Sequence, residues 1–450
     1  MIYKQFITTK MNLDTIFSVI TGVGGAVGII RISGKNATFV FDIFNTKQTQ
    51  NRIATFVDLM HDGEFIDSVI ITYFKNPNSF TGEDIIEISF HNGRFITDKI
   101  IEILSRVENF RMAEAGEFSR RAFLNGKMNL LTAEGIDNII KAQTKSQHFL
   151  ASKMLSGDTA LVYDNFRSDT LQILSFIEAN IDFADEDLPI EVIQKYKQKI
   201  EELSIKISNY LTQNKNKELI VHGLKMTIVG IPNVGKSSLF NTFLSRDASI
   251  VTDIAGTTRD SIEIAMDIDG IMIRLVDTAG MRKTDDIVEK IGVERSFDHA
   301  KNSDIRLFIC TNIKDLPDIK IEKNDIIVLN KIDKNNNYVA EIELLKEKYN
   351  CEVVPISVKN KQNIDILYKT IVKNAKIITN FNNDGVYLNA RHISLLNQSI
   401  ISLNNAKNCD EIEIIAEHLR RSGFLIGQIA GIMTTDDILG EIFSKFCVGK

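Results

Sequence analysis

Gly230-Ile231-Pro232-Asn233-Val234-Gly235-Lys236-Ser237 follows the apolar run Lys225-Met-Thr-Ile-Val229 and precedes a segment with helical spacing that opens at Ser238. Strand, glycine loop and helix in that order, with GxxxxGK[ST] spacing, mark a phosphate-binding loop. Its glycines let backbone N–H groups wrap phosphate oxygens. Lys236 can reach the β- and γ-phosphates, and the Ser237 hydroxyl can ligate magnesium. From this loop to about residue 375 strands and helices alternate, the pattern of a doubly wound parallel sheet.

Three further elements follow, each at the end of its own apolar strand. Asp277-Thr278-Ala279-Gly280 comes after Ile271–Val276. That spacing sets Asp277 near the magnesium and leaves Gly280 free to turn its N–H toward the γ-phosphate. Asn330-Lys331-Ile332-Asp333 comes after Asp325–Leu329. A carboxylate at Asp333 can accept from N1 and the exocyclic amine of guanine, two donors that adenine cannot offer. Ser357-Val358-Lys359, after Val353–Ile356, has the form of the last guanine-contacting loop. Val358 replaces the usual alanine there, and because its backbone N–H makes the contact, the contact is expected to survive.

Between these elements, Thr252-Asp253-Ile254-Ala255-Gly256-Thr257-Thr258 reads as a switch-like segment or as an ordinary polar loop. In the first reading Thr258 supplies a second hydroxyl to magnesium. Taken in order, the elements predict a P-loop GTPase that binds GTP and Mg2+. Met281 stands where many small GTPases carry a water-orienting glutamine. Another polar side chain must hold the water, and Arg282, Asp285, Asp286 and Glu289 are the nearby candidates. On the residues alone, Glu289 reads first as a charge that caps or decorates a helix predicted over Ile287–Phe297.

The chain has 450 residues, too many for one hydrophobic core. Hydrophobic residues make up 44% and charged residues 25%, and the net charge is −6. An acidic chain lacks the strongly basic balance of a dedicated nucleic-acid binder, so any RNA contact must be local. Cys310, Cys351, Cys409 and Cys447 form no CxxC pair, which argues against zinc and disulfides and fits a reducing cytoplasm. The first three read as buried small residues. Thr15–Ile30 is uncharged but interrupted by Gly22, Gly24, Gly25 and Gly28. It reads as a glycine-rich loop feeding the strand Gly28–Ser33 rather than as a leader or membrane span.

Short β-branched runs, Ser68–Tyr73 and Ile85–Phe90, and a helical pattern over Ile96–Val107 predict a small α/β domain in residues 1–124. Long helical stretches follow at Ala133–Leu155, Asp158–Ile181 and Ile190–Thr212, giving a helical region over 125–220. The GTPase domain takes 221–377. Helical spacing resumes after the turn-rich Asn380–Gly385 and runs through 378–450. The simplest assembly returns this tail to the first helices, so that the GTPase domain is inserted within a helical domain.

Several motifs together resemble the MnmE (TrmE) family of tRNA modification GTPases. They are Arg31-Ile-Ser-Gly34, Ser79-Phe-Thr-Gly-Glu-Asp84, Gly116-Glu-Phe-Ser119 with Arg121-Ala-Phe-Leu124, the segment Thr252–Asp260, and the terminal Phe446-Cys-Val-Gly-Lys450. The resemblance implies a homodimer working with a flavin-dependent partner of the MnmG (GidA) kind on tRNA. The implied product carries an aminomethyl or carboxymethylaminomethyl group on C5 of the wobble uridine. A tetrahydrofolate derivative bound by the N-terminal domain supplies the carbon, and Arg31, Glu87, Lys127 and Lys450 match the folate contacts. Glu289 matches the family's water-holding glutamate. Potassium, held by Asn233, Thr252, Ile254 and Thr257, takes the place of an arginine finger, and Cys447 becomes a functional position. Departures fall in the glycine loop, with Gly24 at an arginine position and Ala26 at a glycine, and at His91-Asn92-Gly93 in place of HGG. Two other readings compete: a ribosome-assembly type of GTPase switch without modification chemistry, and a transport or scaffold ATPase, which Asp333 opposes.

Overall fold

The computed structural model describes residues 14–22, 24–182, 190–247, 263–276, 301–317, 320–335, 337–380, 385–432, 436–447 and 449. Two compact units divide the chain, one of residues 1–137 with 430–450 and one of residues 138–429.

The first unit is built on a six-stranded sheet of β1 (Thr15–Val19), β2 (Val27–Ser33), β3 (Thr55–His61), β4 (Glu64–Phe74), β5 (Ile85–His91) and β6 (Phe110–Met112). Their order is β3-β4-β5-β2-β1-β6, antiparallel throughout except for the parallel pair β1 and β6. Period-two alternation sorts the side chains. Phe17, Ile30, Ile32, Ile86, Ile88 and Ile71 build one core face with Ile100, Ile103 and Leu104 of helix α1 (Arg94–Ser105). Ser18, Arg31, Glu87 and Thr72 form one cross-strand row of the opposite parity. The glycine-rich stretch thus contains β1, a loop and β2; five residues merging into a glycine run hid β1 from the sequence pattern.

Helix α2 (Glu117–Leu124) contributes Phe118 to a small cluster with Ile16 and Ala113. The single helical stretch expected over Ala133–Leu155 is two helices, α3 (Leu130–Lys141) and α4 (Lys145–Leu155). Thr144 breaks it with a capping box: its hydroxyl accepts from the Gln147 N–H, and its own N–H donates to Gln147 Oε1 at 3.0 Å. The C-terminal helix Asp436–Ser444 belongs to this unit, sharing a core of Leu439, Phe443 and Phe446 with Leu130 and Ala133.

The second unit holds the long helices α5 (Asp158–Asp182) and α6 (Ile190–Asn214) and a second six-stranded sheet. Its strands are β7 (Leu224–Val229), β8 (Glu263–Ile268), β9 (Ile271–Val276), β10 (Ile305–Cys310), β11 (Ile326–Leu329) and β12 (Glu352–Pro355), ordered β12-β11-β10-β7-β9-β8. All neighbours are parallel except the β8–β9 hairpin. Parallel strands covered on both faces need near-continuous apolar runs, and Ile326–Leu329 is buried at every residue. Helices α7 (Lys236–Asp247) and α9 (Ile364–Thr379) share one core cluster with the sheet, and α8 (Tyr338–Tyr349) shares another through Leu345. This is the expected doubly wound α/β fold. The helix after the phosphate loop starts at Lys236, two residues before the predicted Ser238.

The two chain crossings between this sheet and the long helices lie side by side. Asn216 Nδ2 donates to Ile378 O at 2.9 Å, the Val386 N–H donates to Asn214 Oδ1 at 2.9 Å, and buried Lys217 donates to Asn380 O. Helix α10 (Ala390–Asn408) then runs back along α6, where Ser204 donates to Asn404 at 2.9 Å. The second sheet is therefore an insertion between α6 and α10, as the pattern predicted. Cys310 is buried, and burial pushes its thiol up to about 12, whereas Cys351 and Cys409 are only partly covered. No helix among the described residues is long and apolar enough to cross a membrane.

Candidate functional site

The phosphate loop begins where β7 ends. Gly230 has no room for a side chain, because a Cβ would run into the Ile309 carbonyl on β10 and stand 2.9 Å from Ile309 Cγ2. Asn233 (φ 65°) and Gly235 (φ 109°) take positive-φ conformations, the kind of backbone geometry from which anion-binding nests are built. Lys236 opens α7 and donates to Gly230 O at 2.6 Å and Ile231 O at 3.0 Å, so its ammonium lies across the loop. Ser237 and Ser238 are exposed on the first turn of α7, where the helix dipole and free N–H groups favour phosphate.

Asn330 ties this loop to the loop that follows β12. Its amide is only 4% exposed; Nδ2 donates to Val234 O at 2.8 Å and Oδ1 accepts from the Val358 N–H at 3.2 Å. The Val358 N–H, expected to face guanine, is thus engaged by Asn330 here. Lys331 (φ 61°) donates to Asn233 O at 2.6 Å. Asp333 is exposed, and Ser357 Oγ donates to its Oδ1 at 2.6 Å while accepting from the Asn360 N–H at 3.2 Å. That hydroxyl, aided by Lys334 and the exposed Lys359, holds the Asp333 carboxyl below its ordinary value. An ionised carboxylate only accepts hydrogen bonds, which matches the paired donors on guanine.

The switch-like Thr252–Thr258, Asp277–Gly280, Met281 and Glu289 lie outside the described residues, as does Lys450. Val276, the residue before Asp277, pairs with Thr227 on the strand that feeds the phosphate loop.

The first unit carries a second polar site. Arg31 on β2 donates from Nε and Nη2 to Glu87 Oε1 on β5, at 2.8 and 2.7 Å, across directly paired positions. Its guanidinium stands 5.1 Å from the Phe80 ring centre and 5.6 Å from that of Phe118. Lys127 is exposed at the turn after α2, 3.3 Å from where a Gly82 Cβ would stand. Asn92, one of the residues departing from the family pattern, donates to Gly22 O at 3.3 Å and Ala26 O at 3.1 Å, bracing the altered glycine loop. Cys447 is exposed, and its carbonyl accepts the Gly116 N–H at 3.3 Å.

Beside this site lies an ion network, buried at Glu117 and Arg121, whose roles sequence reasoning missed. Arg111 grips Glu117 with two bonds of 2.8 and 2.7 Å. Arg121 donates to Glu117 at 3.0 Å, to Asp14 O at 3.0 Å and to Glu83 at 3.2 Å. Glu83 in turn accepts from Ser33 Oγ at 2.7 Å. Burial pushes Glu117 up, but the Arg111 bond, the Glu114 N–H and both guanidiniums outweigh it and hold the carboxyl below its ordinary value. The i,i+4 spacing of Glu117 and Arg121 was the one available signal.

Residues 15–127 match the family model described as the GTP-binding protein TrmE N-terminus, and residues 130–447 match the MnmE helical domain. The tRNA modification GTPase MnmE of Rickettsia canadensis (strain McKiel) is 39% identical over 97% of this chain and 100% of its own length. Its counterpart in Rickettsia akari (strain Hartford) is 38% identical over the same shares. Among solved structures, the FeoB G-domain from Methanococcus jannaschii aligns with 34% of this chain and 98% of its own, at 23% identity and a TM-score of 0.26. With two domain models of the family matching residues 15–127 and 130–447, and relatives 38–39% identical over their full length, the chain belongs to the MnmE family of tRNA modification GTPases.

Proposed function

We propose that this chain hydrolyses GTP and, with a flavin-dependent partner, installs an aminomethyl or carboxymethylaminomethyl group on C5 of the wobble uridine of tRNA. The observation that carries the nucleotide half is the Ser357–Asp333 bond, which orients an exposed carboxylate as an acceptor for the two donors of guanine. Lys236 and the positive-φ backbone at Asn233 and Gly235 fit the phosphates. Ser237, with Thr258, would hold magnesium, which supplies charge neutralisation at the β- and γ-phosphates. Asn233, Thr252, Ile254 and Thr257 would hold potassium, and Glu289 would orient the attacking water. Asp277–Gly280 completes the phosphate side, and Asn330, Asp333 and Ser357–Lys359 the base side.

The modification half rests on the first unit. Arg31, flanked by two aromatic rings and paired with Glu87, offers charge and planar stacking surface suited to an anionic, aromatic one-carbon carrier such as a folate. Lys127 and Lys450 would add positive charge for its glutamate tail. Cys447 acts in the modification chemistry, the chain works as a cytoplasmic homodimer, and an MnmG-like flavoprotein is its partner. The test is nucleoside mass spectrometry of tRNA from cells lacking the chain and from cells supplied with it. Unchanged C5 modification in both would favour a guanine-nucleotide switch without modification chemistry.

A further inference from the structure

Gly116 opens α2 in a left-handed conformation, φ 66°, with no space beside it. A Cβ there would run into the Phe443 carbonyl and stand 3.0 Å from Phe446 Cβ. Its N–H donates to the Cys447 carbonyl at 3.3 Å. The tail is held again two residues on: a Cβ on buried Gly449 would lie 2.9 Å from Val19 O and 3.2 Å from Ile20 Cα, at the end of β1. The same helix start carries Glu117, clamped by Arg111 and Arg121, and Phe118, whose ring faces the Arg31 guanidinium.

We propose that the Gly116–Phe118 turn is a positioning seat that fixes the C-terminal Cys447 segment and the Arg31–Glu87 pair in one register for the modification reaction. The inference rests on the reading that Cys447 serves that reaction. Its physical basis is one rigid turn with three attachments. The glycine is needed because the tail backbone occupies the place of its side chain. Glu117 is buried and ionised because two guanidiniums hold it, which keeps the turn from rotating. Phe118 transmits the position of the turn to Arg31 through a ring contact rather than through the backbone. The seat touches no reacting atom; its residues act by placement.

The experiment uses the full chain and three substitutions. Gly116→Ala inserts a Cβ against the tail. Phe446→Ala removes the tail's anchor from the other side and keeps the test alive if Gly116→Ala misfolds. Gly63→Ala is the control, since Gly63 also has positive φ (82°) but open space around it. Amide exchange of the 443–449 peptides should rise at least tenfold in the first two variants and stay unchanged in the control. Wobble-uridine modification should fall at least tenfold in the same two, with GTP hydrolysis within twofold of the parent in all three. Unchanged tail exchange in Gly116→Ala and Phe446→Ala would overturn the seat, as would released tails with normal modification. A parallel Cys447→Ser variant separates the readings. Normal modification in that variant removes the thiol's role, while the exchange and modification of Gly116→Ala still decide whether the seat positions the tail.

Discussion

Gly235 and Asn330 interlock: Asn330 Nδ2, bonded to Val234 O at 2.8 Å, occupies the space a Gly235 Cβ would take. The phosphate loop and the loops after β11 and β12 are therefore one part mechanically, joined through a buried amide that also holds the Val358 N–H. Asn330→Ala should leave Val234 O and the Val358 N–H without partners, destabilising the nucleotide domain by about 1–3 kcal/mol. It should weaken GDP and GTP alike, because the lost bonds touch no γ-phosphate. Titration with fluorescent nucleotides checks this, and a loss confined to GTP would place Asn330 elsewhere in the mechanism.

Asp333→Asn replaces a charged double acceptor with a group that presents one acceptor and two donors to guanine. Binding of GTP should weaken, because the paired donors of guanine lose their charged acceptor. Xanthosine triphosphate, whose base offers an acceptor where guanine has its amine, should bind the variant better than the parent. Guanine affinity unchanged within twofold would remove Asp333 from the base pocket.

Cation dependence is a third expectation, drawn from Asn233 and the segment Thr252–Thr258. A potassium ion between the phosphates and Asn233 would place positive charge where negative charge develops in the transition state. Steady-state GTP hydrolysis should rise strongly from sodium to potassium at matched ionic strength. Equal rates in the two salts would assign that charge to a side chain.

What was legible in the sequence was chemistry with fixed local spacing. Gly230–Ser237, Asn330–Asp333 and Ser357–Lys359 each follow a strand, and the structure brings the three to one edge through Asn330, Lys331 and Ser357. The helix break at Thr144 was equally local, since a Thr-x-x-Gln capping box stands in the sequence, but apolar periodicity carries straight through it. Tail docking was illegible for another reason. The spacing of Leu439, Phe443 and Phe446 shows that a face is buried and cannot say against what; the answer, Leu130, Ala133 and Phe123, is set by long-range packing. The ion network was hidden likewise, because Arg111 meets Glu117, and Arg121 meets Glu83, only once β6, α2 and the turn before β5 are assembled.

Met281 offers no amide to orient the attacking water, and Glu289 is the polar side chain proposed above to take that place. A carboxylate can position water by accepting its proton in a hydrogen bond; a loose transition state needs that placement more than a strong base. Glu289→Ala should lower single-turnover hydrolysis by about 10²–10⁴-fold while leaving nucleotide affinity in place. Asp285→Ala and Asp286→Ala should lose less than about tenfold if neither side chain holds the water. A larger loss in either aspartate variant than in Glu289→Ala would move the water-holding role.

The Glu117 network sets an acid limit on the first unit. Its carboxyl is ionised in the folded chain at a pH where the unfolded chain would already bind a proton, because Arg111 and Arg121 outweigh the burial that pushes it up. A depressed folded value means the stabilisation is fully present above the ordinary 4.5 and is lost as pH falls through the lower folded value. Protection of the 110–124 amides, expressed relative to intrinsic exchange at each pH, should therefore hold from neutrality to about pH 5 and decline below about pH 4. Glu117→Gln removes the titrating group but leaves two guanidiniums short of a counter-charge. Glu83 and the Asp14 side chain still reach Arg121 and Arg111, so the expected cost is near the low end, about 3 kcal/mol. The variant should begin less protected at neutral pH and lose little more on acidification. Parallel pH profiles in parent and variant would show that other carboxylates carry the acid sensitivity.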